Sequence, residues 1–352
     1  MEQDSICIVS LGAQTAIGLS ATSTAAAVRA GISGFNEHPF MINQQGEPYT
    51  LAMVPSIDPY TSYRQRMILM VEQAVKETIA GLEYQGVHQA IPAIIGLPEV
   101  RPGLPQDLPF LIEESVRELN NAQISINSVH TLLNGHSAGL LALERGRQIL
   151  SVGNVEFCLV GGLDSYIEPE TLEWIEDNDQ LHQPVNAWGF IPGEAAGFCL
   201  ICLKNTAKRY NLMVKAELMS IATAIEQNRI KTETICLGQG LTQAVKEVTK
   251  NLPQDSKVNY MICDQNGEAY RSDEFGFMLA RLSDLFEDPS DYLAPADCWG
   301  DVGAASGPLF INQTCAAFEK GYGTGQYTLL WTSSEGGERT AAILKDEARA
   351  LG

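Results

Sequence analysis

The segment that decides the fold is Asn134-Gly135-His136-Ser137-Ala138-Gly139, which stands directly before an apolar stretch at residues 140–150. Small residues around one reactive side chain, on a sharp turn into an apolar helix, are typical of an elbow that presents a nucleophile. The N-terminal end of such a helix lowers the pKa of that group or stabilises an oxyanion. The residue at the apex is His136, and the segment therefore predicts a site where the chain enters this helix.

Strand-like and helix-like patterns alternate on both sides of this segment. Short apolar runs predict buried strands, and apolar residues at helical spacing predict helices. Residues 11–18 are predicted to form a turn of small residues. Up to residue 208, strands are predicted at residues 6–9, 90–95, 156–162 and 193–203, and helices at residues 21–30, 64–81, 108–119 and 140–150.

A second series of strand–helix units begins near residue 215. Two such series in one chain imply an α/β architecture with buried mixed or parallel sheets. No low-complexity linker separates them, so we expect the halves 1–208 and 209–352 to share one core. In the second half, strands are predicted at residues 216–222, 258–263, 327–332 and 340–344, and helices at residues 241–252 and 273–285 and from a glycine-rich turn at 300–307 to residue 321.

The composition bounds the possible partners. The 352 residues include 23 Lys and Arg against 43 Asp and Glu, a formal net charge of −20. A hydrophobic share of 45% and a charged share of 19% are typical of a globular protein with a deep core. At this charge a nucleic-acid interface would need a strong local basic stripe. The same charge disfavours CoA and an anionic carrier protein, and we expect no nucleic-acid partner.

The cysteines and the N-terminus favour a cytoplasmic protein. Eight cysteines are too dilute for a disulfide scaffold. Cys199 and Cys202 have a metal-site spacing, but in a strand their side chains point to opposite faces and no second pair occurs. The acidic N-terminus is unlike a signal peptide, and no apolar stretch approaches about 18 residues. Since no nucleotide-binding glycine motif occurs either, we expect no metal, no cofactor and no membrane partner.

Six further motifs, in a shared order, resemble those of the β-ketoacyl synthases of the thiolase fold. The resemblance runs over nearly the whole chain. It implies two related βα halves that form a five-layered α-β-α-β-α core. Besides residues 134–139, it is carried by residues 10–18 (SLGAQTAIG), 28–34 (VRAGISG), 156–162 (EFCLVGG), 189–197 (GFIPGEAAG), 258–267 and 300–307.

The residues at the family's catalytic positions differ from those of the family. Its enzymes use a cysteine thiolate as acyl acceptor and two histidines that assist decarboxylation and stabilise the oxyanion. The resemblance places His136 at the cysteine position and Asp264 and Asp301 at the two histidine positions. Ala296 takes the place of the family's lysine, and Glu335 that of the aromatic residue in a glycine loop near the C-terminus.

These replacements argue against condensation. An acyl-imidazole hydrolyses readily, whereas a thiolate is both a strong nucleophile and a good leaving group. An ionised carboxylate can only accept hydrogen bonds, and it repels an oxyanion in a poorly solvated pocket. We therefore expect no catalytic residue, and whether the chain is an enzyme stays open, with a non-enzyme favoured. Any activity would be that of an acyltransferase or 3-oxoacyl synthase.

Two interpretations of His136, Asp264 and Asp301 remain. In the first they form a repurposed site, a hydrolytic base or a partial metal set to which Cys263 and Cys298 add sulfur ligands. In the second, which we favour, His136 is ion-paired and fills the former pocket. Both require the three side chains to converge within about one hydrogen-bonded shell.

The surroundings of this site are predicted from neighbouring positions. Ser137 is adjacent to His136 at a helix start, so their side chains point in different directions and no Ser–His pair is expected. Trp299 is expected to be a pocket wall or a dimer contact rather than a residue that stacks on a ligand. The acids expected to be solvated are Asp273, Glu274, Glu335 and Glu338. The residues expected at the pocket are Ser137, Cys263, Cys298, Trp299 and Glu335.

The resemblance also implies how the protein works. Thiolase-fold proteins pair through a central strand into a ten-stranded sheet across a two-fold axis, which implies a homodimer or a heterodimer with a paralogue. Degenerate members are known as chain-length partners of an active synthase, and as accessory proteins encoded among type VI secretion genes. Since the charge of −20 suits carrier proteins poorly, the sequence favours a chaperone- or adaptor-like accessory partner in effector loading. The alternatives are a non-catalytic chain-length-type subunit, or an acyltransferase or hydrolase with a repurposed His/Asp site.

Overall fold

The computed structural model describes residues 5–83, 87–119, 124–232 and 234–347. The strands of the first half are β1 (Ile6–Thr15), β2 (Phe35–Ile42), β3 (Pro48–Ala52), β4 (Gln89–Gly96), β5 (Ile124–Leu132), β6 (Phe157–Ser165) and β7 (Glu194–Leu203). The helices of this half are α1 (Ala21–Arg29), α2 (Tyr63–Glu83), α3 (Leu108–Glu118), α4 (Ala138–Val152) and α5 (Pro169–Asp177).

The second half follows a short connecting helix, α6 (Lys204–Arg209). Its strands are β8 (Ala216–Ile225), β9 (Tyr260–Cys263), β10 (Tyr292–Leu293), β11 (Tyr327–Ser333) and β12 (Glu338–Lys345). Its helices are α7 (Gln239–Thr249), α8 (Ala269–Leu282), α9 (Ala296–Trp299) and α10 (Ser306–Lys320).

Ten of the described strands form one mixed sheet. The order is β10-β9-β11-β12-β8-β1-β7-β6-β4-β5, with β2 and β3 in a separate hairpin. Five strands come from each half, and the halves meet at β1 and β8 through the pairs Ile6–Leu218, Cys7–Glu217 and Ile8–Ala216. Parallel pairs such as β4–β5 and antiparallel pairs such as β6–β7 occur together, as the alternating patterns predicted.

Successive side chains along a strand point to opposite faces of the sheet and pack into different hydrophobic cores. The helices and the two halves of the sheet therefore form five layers. Cys7 packs in the core beneath α2 and α3, whereas Ile8 packs in the central core with α4 and α10. In the other half, Leu330 enters the same central core and Leu329 enters a third core with α7 and α8. Two outer helix layers and one central layer of α4 and α10 therefore enclose the two halves of the sheet, which confirms the predicted fold class.

The sequence patterns were wrong or silent at several elements. The predicted turn at residues 11–18 continues as strand through Thr15, because β1 keeps its ladder with β7. Strand β5 escaped prediction because it is the last strand of the sheet, and exposed polar residues interrupt its apolar pattern, Asn127 and His130 among them. The hairpin β2–β3 and helix α5 were also not predicted.

Two further predictions concern the orientation of the Cys199 and Cys202 side chains and the presence of membrane-spanning helices. None of the eight cysteines is in a disulfide, and Cys236 is the one that is partly exposed. Cys199 belongs to the central core and Cys202 to the core beneath α2, so the two lie on opposite faces of β7, as predicted. Among the described helices, none combines the length and apolarity that a membrane span requires.

Candidate functional site

The predicted site lies where the two central helices begin. A short turn, Gly135–Ser137, leads into α4, and a similar turn, Gly303–Ala305, leads into α10. Gly135 has a φ of 56° and Gly303 a φ of 46°, a left-handed conformation that side chains other than glycine adopt rarely. A Cβ at Gly303 would also collide with the Asp164 carboxylate. These glycines allow two sharp entries side by side, so both helix N-termini face one buried space.

His136 and Asp301 form the centre of this site. Nε2 of His136 lies 2.9 Å from both carboxylate oxygens of Asp301. Their side chains are 8% and 2% exposed, so the pair is almost completely removed from water. Asp301 also accepts hydrogen bonds from the Gly303 backbone N–H at 2.9 Å and from Nδ2 of Asn266 at 2.6 Å.

Arg271 connects this pair to Asp264. Its Nη1 donates to Asp264 at 2.8 Å, and its Nη2 lies 3.2 Å from Nε2 of His136. Asp264 also accepts the Ser333 backbone N–H at 2.6 Å. The structure thus brings His136, Asp264 and Asp301 together as the motif alignment requires, with Arg271 between the two acids.

Sequence reasoning missed Arg271, Asn266 and Glu268. Arg271 donates to Glu268 through Nε at 3.1 Å, and Asn266 donates to the same carboxylate at 3.0 Å. The predicted helix began at residue 273, which left Arg271 outside any element, whereas α8 begins at Ala269. The signal that could have found it is the spacing of Glu268 and Arg271, three residues apart, which places opposite charges on one helix face.

The electrostatics favour a charged pair. Burial disfavours the imidazolium, but the Asp301 carboxylate outweighs burial and raises the pKa of His136 above its usual value. Burial also disfavours the Asp301 anion, yet His136, Arg271 and the Gly303 N–H hold its pKa well below the usual range. Because Nε2 faces two carboxylate oxygens, we place its proton there. Arg271 can only donate, so its contact with Nε2 is a close approach of two cations.

The residues beside His136 are held in structural contacts. The Ser137 hydroxyl donates to the Thr332 and Glu338 carbonyls, away from His136, as predicted. Its backbone N–H donates to Oγ of Ser334 at 2.8 Å. Ser137 is therefore not available to act with His136 as a nucleophile.

The sulfur and aromatic residues are buried in the packing. Cys263 is fully buried, its pKa raised above the usual value by burial, and its Sγ contacts the Leu293 carbonyl. With Ala296, Cys263 and Trp299 border a void of about 10 Å³ beside Asp264 and Asp301. Cys298 and Trp299 belong to the central core. Trp299 is 1% exposed, so it is a wall of the site and not a surface contact.

Three of the four acids expected at the solvated surface are in fact partly or fully buried and accept hydrogen bonds, while Asp273 is exposed as predicted. Glu338 is half-buried, and its carboxylate accepts a hydrogen bond from Nδ2 of Asn134 at 3.0 Å. Glu274 is 1% exposed and pairs with Arg339 at 2.6 Å, because α8 turns this side chain into the core beside β11. Glu335 accepts hydrogen bonds from Gln180 at 2.6 Å and from Lys231 at 3.0 Å. Burial raises the pKa of Glu335, but Lys231 and Gln180 reverse that effect and lower it.

The remaining space at the site is small. A cavity of about 90 Å³ lies beside His136 between Glu99, Tyr166, Trp174 and Glu335. Pockets for drug-sized ligands are usually about 300–1,000 Å³. Burial raises the pKa of Glu99, whose carboxylate accepts the Gly336 backbone N–H. The cavity is also lined by Arg101, which is paired with Asp164 at 2.6 Å, and it leaves little room for a ligand.

Three solved structures resemble the chain over nearly its whole length. "The ishigamide ketosynthase/chain length factor" has a TM-score of 0.79 at 14% identity, covering 97% of this chain and 99% of that chain. "AntDE:AntF (apo): type II PKS acyl-carrier protein in complex with its ketosynthase bound to the hexaketide" has a TM-score of 0.77 at 15% identity, covering 98% and 100%. "Ketosynthase from module 6 of the bacillaene synthase from Bacillus subtilis 168" has a TM-score of 0.75 at 13% identity, covering 97% and 72%.

The fold is therefore the thiolase-like fold of ketosynthases, as the sequence motifs predicted. No protein-family model and no curated protein matches the chain. At identities of 13–15% the structural similarity establishes the architecture, and the chemistry has to be inferred from the side chains of this chain.

Proposed function

We propose that the protein is a non-catalytic ketosynthase-like subunit that pairs with a second thiolase-fold chain and acts through that contact, as a chain-length partner does. The observation that carries this proposal is the buried pair of His136 and Asp301 at the position of the family's nucleophile. A protonated imidazole has no free lone pair with which to attack a thioester. Since Asp301 raises the pKa of His136, the attacking form is disfavoured at neutral pH.

The groups that could stabilise an oxyanion are already engaged. The Gly303 N–H donates to Asp301, and the Ser137 N–H donates to Ser334. Asp264 and Asp301 add negative charge where a thioester enolate would need hydrogen-bond donors. Two arginines lie near this space, but Arg271 is committed to Asp264 and Glu268, and Arg101 to Asp164. An oxyanion would therefore be repelled in this space.

Polar contacts hold the loop at residues 334–337, which connects β11 and β12 beside the site. Gly336 donates its N–H to Glu99 at 3.0 Å and accepts from Arg229 at 3.0 Å. Lys231 pairs with Glu335 at 3.0 Å and lies 4.0 Å from the ring centre of Trp174. An acyl chain would have to break these contacts to enter, which supports a subunit without turnover.

A non-catalytic protein of this fold could be a chain-length partner or a secretion accessory protein. We choose between these two roles from the similar solved structures and from the net charge. One structural neighbour is described as a ketosynthase/chain length factor, which favours the chain-length setting over the secretion accessory that the sequence favoured. The charge of −20 is compatible with this choice, because the active chain of such a pair can bind the carrier protein. The acidic subunit then needs electrostatic complementarity only with its partner chain, and not with the carrier protein.

The ten-stranded sheet lies within one chain, so it does not arise from the pairing that the sequence predicted, and we expect a partner chain at the edge strand β5. It bonds to β4 on one side and is the last strand of the described sheet. The edge of a sheet presents backbone groups that the strand of a second chain can bind. Beside it lie the exposed side chains of Phe110 on α3, 61% exposed, and Leu133, 41% exposed. A contact that covers them would bury apolar surface as well as the strand edge.

Catalysis is tested by incubating the purified chain with acyl and malonyl thioesters and recording intact mass and products. We expect no covalent adduct, no hydrolysis above the buffer rate and no carbon–carbon bond formation. Turnover that His136→Ala abolishes would contradict the proposal and favour the repurposed site.

Pairing is tested by co-purification from the native host, followed by mass spectrometry and sedimentation. We expect a stoichiometric thiolase-fold chain with an intact cysteine nucleophile, and we expect Phe110→Glu with Leu133→Glu to dissociate it. Val152→Glu is the matched control, since Val152 is 71% exposed at the end of α4. Recovery of secretion or effector proteins instead would favour the accessory role and contradict the proposal.

A further inference from the structure

A larger cavity lies away from the His136 site, along the C-terminal part of α10. Its volume is about 800 Å³, within the usual range for small-molecule pockets. Helices α1 and α2 and strand β1 supply the other walls. Small or apolar side chains form one part of the wall, including Leu11, Ala21, Ala25, Ala80 and Ala316, and polar or charged side chains form the rest. An apolar chain could fill this space without displacing any large side chain.

One wall residue, Asn312, carries an unsatisfied hydrogen-bond acceptor. Asn312 is 1% exposed, and its Nδ2 donates to the Gly12 carbonyl at 3.1 Å. Because a carbonyl oxygen can only accept, this contact fixes the orientation of the amide. Its Oδ1 has no hydrogen-bond partner among the described residues. A buried acceptor without a partner costs about 1–3 kcal/mol, so a ligand that donates to Oδ1 would remove a real penalty.

The other end of the cavity is cationic. Arg29 lies 4.2 Å from the ring centre of Tyr322, and within the described chain no carboxylate pairs with it. The other two cations of the wall, Lys215 and Lys320, are already paired with Glu319, at 3.1 and 3.5 Å. The Glu77 carboxylate accepts the backbone N–H groups of Ala21, at the start of α1, and of Ala13 in β1, and burial raises its pKa. Arg29 is therefore the charge that remains available to a ligand.

The distance between these two features sets the length of the ligand. Asn312 and the last residue of α10, Lys320, are eight residues apart, which corresponds to about 12 Å along a helix. Arg29 and Tyr322 lie just beyond that end of the helix. A medium-length aliphatic chain therefore matches the span from the cation to the unpaired amide oxygen.

We propose that this cavity binds an aliphatic carboxylic acid with a hydroxyl group at the far end of its chain. The carboxylate pairs with Arg29, the chain packs against the alanines of α1 and α10, and the hydroxyl donates to Oδ1 of Asn312. This binding site is separate from the His136 site, so its existence does not depend on the proposed function.

The test is calorimetric titration of the full chain with decanoate, 10-hydroxydecanoate and decylamine. We expect decanoate to bind saturably, 10-hydroxydecanoate to bind about fivefold tighter through the added hydrogen bond, and decylamine to bind weakest. Arg29→Gln should weaken decanoate about fivefold, and Arg145→Gln, an exposed arginine on α4, should leave it unchanged. Absence of saturable binding, or tighter binding of decylamine, would overturn the proposal.

Two further variants address the position of the ligand. Asn312→Leu should reduce the preference for 10-hydroxydecanoate over decanoate to about one. Ala26→Phe fills the cavity from an exposed position on α1 and should abolish binding while the melting temperature stays near that of the wild type. Binding that survives Ala26→Phe in a folded protein would place the ligand elsewhere and contradict the proposal.

Discussion

Nε2 of His136 lies 2.9 Å from both carboxylate oxygens of Asp301, although the two residues are 165 positions apart in the chain. Each residue begins the approach to a central helix, so the pair joins the two halves of the protein. A position suited to a nucleophile is thereby occupied by a buried ion pair.

The first prediction concerns pH. Since the pKa of His136 is raised on folding, its stabilising contribution is complete below about pH 6.5, the unfolded value, and is lost as pH rises through the folded value. Asp301 has a lowered pKa, so its contribution persists above about pH 4 and fades in stronger acid. The difference in unfolding free energy between wild type and His136→Gln should be largest near pH 5–6 and should shrink towards pH 9. Urea unfolding across this range measures it, and a difference that grows with pH would contradict the charged pair.

The second prediction concerns Arg271. Replacement by Met leaves the buried carboxylates of Asp264 and Glu268 without their cation, so we expect a loss of about 3–5 kcal/mol in unfolding free energy. Arg145→Met on the surface of α4 is the control and should change stability by less than about 0.5 kcal/mol. Equal effects of the two substitutions in urea unfolding would show that Arg271 has no special role.

The third prediction is that His136→Cys does not produce a condensing enzyme. The new thiol would face Asp264 and Asp301, and the Gly303 N–H would still be used by Asp301. Negative charge at the site disfavours both the thiolate and the enolate. Product analysis with acyl and malonyl thioesters should show no carbon–carbon bond formation. A condensing His136→Cys variant would mean that the acids are not the barrier.

The fourth prediction concerns thiol reactivity. Cys236 is the one partly exposed cysteine, and burial raises its pKa to about 11. Because the thiolate is the reactive form, the native protein should show one slow thiol in a colorimetric titration near pH 8, and eight after denaturation. Cys236→Ser should remove the slow phase. Rapid labelling of Cys263 in the native protein would contradict its burial beside Asp264.

Much of the fold could be predicted from the sequence, because buried strands and amphipathic helices leave local patterns. The predicted helix at residues 64–81 corresponds to α2, Tyr63–Glu83, and the predicted strand at residues 90–95 to β4, Gln89–Gly96. Strand β5 left no such pattern, since it lies at the sheet edge and half of its side chains need not be apolar. Strand prediction from the apolar pattern failed at β5 because the position of this strand in the sheet, and not its local sequence, decides which of its side chains are buried.

The order of the motifs was enough to place His136, Asp264 and Asp301 at one site, because a fold fixes which strand and helix ends meet. The sequence by itself thus determined the architecture and placed an imidazole and two carboxyl groups at the site. The tertiary structure alone decided that Arg271, 135 residues from His136, fills that site with charge, and that Glu274 is buried against Arg339. Local sequence carries no record of partners that only packing brings together, and charges become costly or stabilising only after burial has set their surroundings.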